Sequence, residues 1–122
     1  MAGKKILLVD DDEKMLRLFG DFLVSQGFEV VEANNGNDAL RLAVETNPNL
    51  IILDVMMPDK DGGEVGSALF ENNKTKNIPI IFLTSLVSKE EVARTGGKIG
   101  GRIYLSKSSD KKELIKKIKE II

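Results

Sequence analysis

With 122 residues, 42% of them hydrophobic and 30% charged, the chain has the size and balance of a single globular domain over residues 1–122, large enough to fold unaided. It has no cysteine and no histidine, which excludes thiol nucleophiles, Ser-His-Asp triads and Cys/His zinc sites. A net charge of -1 and a pI near 5.5 argue against general nucleic-acid binding, and no apolar run reaches the length of a membrane span.

Ile6-Leu7-Leu8-Val9 is a wholly apolar run that ends on Asp10, Asp11 and Asp12. No secretory segment precedes it, so a cytoplasmic protein is expected. Asp12 is a good N-cap for a helix carrying Met15, Phe19, Phe22 and Leu23 on one face, and Gln26-Gly27 closes that helix with a glycine. Glu29 to Glu32 reads as a strand with one partly wet side. Asn35-Gly36 then leads into a helix carrying Ala39, Leu40 and Ala43, which stops before Pro48.

Leu50-Ile51-Ile52-Leu53 is a second continuous apolar run, buried on both faces of a parallel sheet, and it gives way at Asp54 to the turn signals of Pro58 and Asp59-Lys60-Asp61-Gly62. A weakly specified helix follows over Glu64–Glu71, because Gly63 and Gly66 disfavour it. The third apolar strand runs from Ile78 to Leu83, with Pro79 at its start, and ends on Thr84-Ser85. Ser88-Lys89-Glu90-Glu91 is a capping box opening a fourth helix, which Gly96, Gly97, Gly100 and Gly101 interrupt. Arg102 to Leu105 is a mixed fifth strand ending near Lys107, and Asp110 caps a last helix with Leu114, Ile115, Ile118 and Ile121 inside. The basic residues crowding this end read as a solvated helix face.

Strands and helices alternate as (βα)5. The three all-apolar strands belong in the centre and the second and fifth at the edges. Right-handed crossovers then give the parallel order 2-1-3-4-5, an α/β, doubly wound, flavodoxin-like domain. Asp10, Asp11 and Asp54 converge at its switch point, with Thr84 and Lys107 on the next two strands. Three carboxylates in one site repel each other unless a hard cation joins them, and oxygen ligands suit Mg²⁺. An aspartate beside Mg²⁺ and a lysine ammonium is equipped to attack a phosphoryl group, with Thr84 donating to a phosphoryl oxygen.

In Leu8-Val9-Asp10-Asp11, Leu53-Asp54-Val55-Met56-Met57-Pro58-Asp59-Lys60-Asp61-Gly62, Leu83-Thr84-Ser85 and Tyr104-Leu105-Ser106-Lys107, the chain resembles the receiver domain of two-component response regulators along nearly its whole length. The resemblance implies a phosphorylation-activated switch, not a turnover enzyme. In such a switch Asp54 accepts phosphate from the phosphohistidine of a histidine kinase or phosphotransfer protein. It further implies Mg²⁺ held by Asp10, Asp11, Asp54 and the backbone carbonyl of Met56. Thr84 and Lys107 would read the phosphoryl group, and Tyr104 would swing inward behind Thr84. Output would pass to a partner or effector domain through the face of the fourth helix, fifth strand and fifth helix. The implied protein is a monomer or a phosphorylation-dependent dimer, without direct nucleic-acid or membrane contact.

Two departures from the family pattern matter. Ser108 stands where the family has a cis-proline, and a cis bond to a non-proline residue costs about 2.5–4 kcal/mol, so a trans Lys107–Ser108 bond and weaker coupling to the output face are expected. The glycines at 96–101 predict a short, frayed fourth helix. Met56 and Leu86, both apolar, lie two residues beyond Asp54 and Thr84 and cannot position a hydrolytic water, which predicts slow self-dephosphorylation. Two alternatives compete: an interaction module that is never phosphorylated, and a small Mg²⁺-dependent phosphohydrolase, for which Asp10-x-Asp12 superficially fits.

Overall fold

The computed structural model describes residues 3–55, 62–84, 98–99, 102–107 and 111–122. In chain order its elements are β1 (Lys5–Val9), α1 (Glu13–Ser25), β2 (Glu29–Ala33), α2 (Gly36–Thr46), β3 (Leu50–Leu53), α3 (Gly62–Glu71), β4 (Ile80–Thr84), β5 (Lys98–Ile99), β6 (Arg102–Ser106) and α4 (Lys111–Ile121). They build one sheet in the order β2-β1-β3-β4-β6-β5. Its first five members run parallel, as the alternation of apolar strands and amphipathic helices requires. This is the flavodoxin-like order expected, with the reversal between β1 and β3.

Strand periodicity divides the core into two layers. Ile6, Leu8, Ile52, Ile81, Leu83 and Leu105 face one side, where Leu16, Phe19 and Leu23 of α1 and Leu114 and Ile118 of α4 cover them. Leu7, Val9, Ile51, Leu53 and Phe82 face the other, against Ala39 and Ala43 of α2 and Val65 and Leu69 of α3. The α1 stripe is rotated slightly from its expected position: Leu16 is buried, while Met15 and Phe22 are only partly covered. Similarly, Ile115 and Ile121 flank the buried seam of α4 instead of forming it.

Local chemistry fixes the ends of the helices. The Asp12 carboxylate accepts from the Lys14 amide at 2.9 Å and caps α1. Gly27, at φ +94°, supplies the left-handed residue that ends α1. Asn47 plays the same part for α2 at φ 46°, just before Pro48. Pro79 lies one residue outside β4, where its carbonyl still accepts from the Ile51 amide at 3.0 Å.

One expectation is corrected. The mixed strand β6 is not the edge of the sheet, because β5 pairs antiparallel with it, Lys98 opposite Ile103 and Ile99 opposite Arg102. The helix expected from Ser88, the Asp110 cap and the Lys107–Ser108 bond lie outside the described residues.

Gly20, in the middle of α1, faces β1 and β2. A Cβ there would come 3.2 Å from Glu32 Oε2 and 3.9 Å from Leu8 Cδ2. Glu32 is exposed and its carboxylate can swing aside. Gly20→Ala is therefore expected to stabilise the fold by about 0.5–1 kcal/mol through helix propensity. Urea unfolding checks this, and a loss of stability would show that the Glu32 contact is rigid.

Candidate functional site

The site stands where backbone ladders run one residue past the strand ends. The Asp10 amide donates to the Ala33 carbonyl at 3.1 Å, the Asp54 amide to Val9 at 3.0 Å, and the Lys107 amide to Thr84 at 2.9 Å. Each functional side chain is thus carried by a backbone anchored to the neighbouring strand. Alternation does the rest. Asp10 and Lys107 lie two residues beyond Leu8 and Leu105, and Asp54 two beyond Ile52, all in the layer facing α1 and α4.

Five of the predicted site residues meet at this edge. Asp10 and Asp54 are buried, at 4% and 5% exposure, whereas Asp11 is exposed. One oxygen from each of the three carboxylates lies within 4.8 Å of the others. Lys107 Nζ sits 2.7 Å from Asp10 Oδ2 and 3.2 Å from Asp54 Oδ2, bridging the two buried acids. The second Asp10 oxygen, Oδ1, accepts from the Asp12 amide at 3.0 Å, which fixes the orientation of the carboxylate. Thr84 is buried at the end of β4. Tyr104 is half-buried on β6 and stacks on Phe82, ring centroids 5.0 Å apart. Met56 and Leu86 lie outside the described residues.

Lys107, expected to read the incoming phosphoryl group, also serves as counter-ion to Asp10 and Asp54. Burial is the largest single influence on this ammonium and works to lower its pKa. The Asp10 hydrogen bond and the charges of Asp10 and Asp54 together outweigh it and hold Lys107 above the ordinary lysine value. Because the folded pKa is raised, the associated stability is complete below the unfolded lysine range and is lost as pH climbs through the folded value. Urea unfolding of the wild type should therefore weaken above pH 10.5. Lys107→Met should lack that component of the decline.

The donor set fits a hard divalent ion. Carboxylate oxygens gathered within 4.8 Å of one another are the kind of all-oxygen donor set that a hard divalent cation such as Mg²⁺ would draw together. Lys107 brings one positive charge to this group of carboxylates, and a bound cation would add to it. Asp10, Asp11 and Asp54 would hold the metal.

Comparison with known proteins agrees with this architecture. Residues 6–119 match the response regulator receiver domain family, and the chain belongs to that family. It is 40% identical over 119 residues to the probable transcriptional regulator ycf29 of Pyropia yezoensis, covering 97% of this chain and 53% of that protein. It is 39% identical over 122 residues to histidine kinase P4 of Formosa agariphila, covering 98% of this chain and 9% of the kinase. The chain thus spans about half the length of the first relative and a small part of the second. Among solved structures, response regulator protein TrrA of Thermotoga maritima, in complex with Mg(2+)-BeF, superposes with a TM-score of 0.81 at 32% identity, over 98% of this chain and 99% of that one. Receiver domains are signalling switches, not turnover enzymes, and they work with histidine kinases and output domains. No helix among the described residues is long and apolar enough to cross a membrane.

Proposed function

We propose that this chain is a phosphorylation-activated switch in which Asp54 accepts a phosphoryl group from the phosphohistidine of a histidine kinase or phosphotransfer protein. The observation that carries this reading is the clustering of Asp10, Asp11 and Asp54, with Lys107 seated on both buried acids. An Asp54 Oδ attacks phosphorus, forming the acyl phosphate. The P–N bond of the donor breaks, and its ring nitrogen keeps the electron pair and takes a proton from water. The donor histidine lies outside these 122 residues, which contain none.

Mg²⁺, when bound, neutralises charge on the phosphoryl oxygens. Asp10 and Asp11 would hold it, with Asp54 and the Met56 carbonyl. Lys107 is tethered by Asp10 beside Asp54, within reach of a second phosphoryl oxygen, and the Thr84 hydroxyl donates to a third. Tyr104 would then move inward behind Thr84 and alter the output face of β6 and α4, changing the binding of a partner or effector domain. A cytoplasmic setting follows from that partnership.

Incubation with acetyl phosphate and Mg²⁺, read by intact mass, is expected to add one phosphate. Chelating the metal should abolish the addition. Absence of label at saturating donor and metal would refute the switch and favour a constitutive interaction module.

A further inference from the structure

Five polar or charged residues are buried among those described: Asp10, Asp54, Thr75, Thr84 and Ser106. Thr75 is accounted for by its hydroxyl, which donates to the Leu69 carbonyl at 2.7 Å and closes the loop after α3. Asp10, Asp54 and Thr84 belong to the site above. Ser106, at 2% exposure, has no part in it so far.

Its position is informative. In the parallel register of β4 and β6, Ser106 is paired with Thr84, and Tyr104 with Phe82. Residues two apart on a strand share a face, so these four side chains form a square on the side of the sheet that faces α2 and α3. Phe82 and Tyr104 occupy its deeper half as stacked rings. Thr84 and Ser106 occupy the half at the strand ends, both shielded from water. Adjacent strands lie about 4.8 Å apart, a span that two short side chains each carrying a γ-oxygen can bridge. The Lys107 amide bond to the Thr84 carbonyl locks the two backbones in this register.

A threonine that reads a phosphoryl oxygen must present its hydroxyl in one rotamer, and a buried hydroxyl is oriented by the polar groups around it. We infer that Ser106 is a positioning residue for Thr84. Its hydroxyl, across the β4–β6 pair, orients the Thr84 hydroxyl and so links Tyr104, on the same face of β6, to the occupancy of Asp54. The inference rests on the reading of Asp54 as phosphoryl acceptor.

The chain supplies its own probe, because Tyr104 is its single tyrosine and there is no tryptophan. Full-length wild type, Ser106→Ala and Ser106→Thr are titrated with beryllium fluoride in saturating Mg²⁺. Fluorine NMR counts occupied Asp54, and acrylamide quenching follows the Tyr104 fluorescence. Ser106→Ala is expected to bind beryllium fluoride about fivefold more weakly, as for loss of one neutral hydrogen bond. Even when fully loaded it should show a smaller change in Tyr104 quenching than the wild type. Ser106→Thr, which keeps the hydroxyl, should restore both. Should Ser106→Ala unfold, Ser106→Cys takes its place, having the shape of serine with a much weaker donor. Wild-type affinity and quenching in Ser106→Ala would overturn the inference, as would equal losses in Ser106→Thr. Failure of the wild type to bind beryllium fluoride would instead remove the acceptor reading itself.

Discussion

Asp54→Asn is expected to stay unlabelled by acetyl phosphate under conditions that put one phosphate on the wild type. The carboxylate oxygen is the nucleophile, and an amide oxygen cannot form a stable acyl phosphate in its place. The variant should still fold, because Lys107 keeps its shorter contact, 2.7 Å to Asp10, and loses only the 3.2 Å contact to Asp54. One of three mutually repelling carboxylates is also removed. Intact mass reads the label, and circular dichroism together with urea unfolding reads the fold. A variant that is folded and still phosphorylated would move the acceptor to another carboxylate, with the exposed Asp11 as first candidate.

Lys107→Met should produce the largest change in stability. The ammonium is mostly buried, with 17% side-chain exposure, and the carboxylates it serves are each 6% exposed. Removing one partner of a fully buried pair costs about 3–5 kcal/mol, and access of water at the end of the sheet reduces this to about 2–3 kcal/mol here. The same change removes the cation that competes for Asp10 and Asp54, so Mg²⁺ should bind the variant more tightly. A ligand at a hundred times its Kd stabilises by about 2.7 kcal/mol, so the stability gap between variant and wild type should narrow as Mg²⁺ is added. Unfolding curves across a metal titration test this. A gap that stays constant would mean that lysine and metal do not share these carboxylates. Phosphorylation should slow in the variant even when its stability recovers, because one cationic contact to the phosphoryl group is gone.

Much of this was legible in the letters because the central strands are unmixed. Ile6–Val9, Leu50–Leu53 and Ile80–Leu83 can be buried on both faces and little else, and each ends abruptly on a polar residue at the same edge. Asp12, Gly27 and Pro48 marked the helix ends for the same reason: each has a backbone or side-chain requirement that few other positions satisfy. The strand β5 was not legible. Two residues between glycine pairs carry no periodicity that a strand could be read from. The bridging role of Lys107 was hidden because a long side chain's reach depends on where its neighbours stand in space. Alternation from Tyr104 places Ser106 on the same face of its strand, while its pairing with Thr84 comes from the register of β4 and β6.

The small strand β5 has a consequence for how the molecule behaves in a crowd. An open sheet has two borders, each with a row of amide and carbonyl groups able to recruit a strand from a neighbouring molecule. Here one border is β2, where the exposed Glu29 and Glu32 set negative charge on its two faces. Among the described residues the other is β5, two residues long, which gives an approaching strand few bonds. Both borders therefore discourage fibre-like stacking, and molecules of this kind should stay dispersed at high concentration.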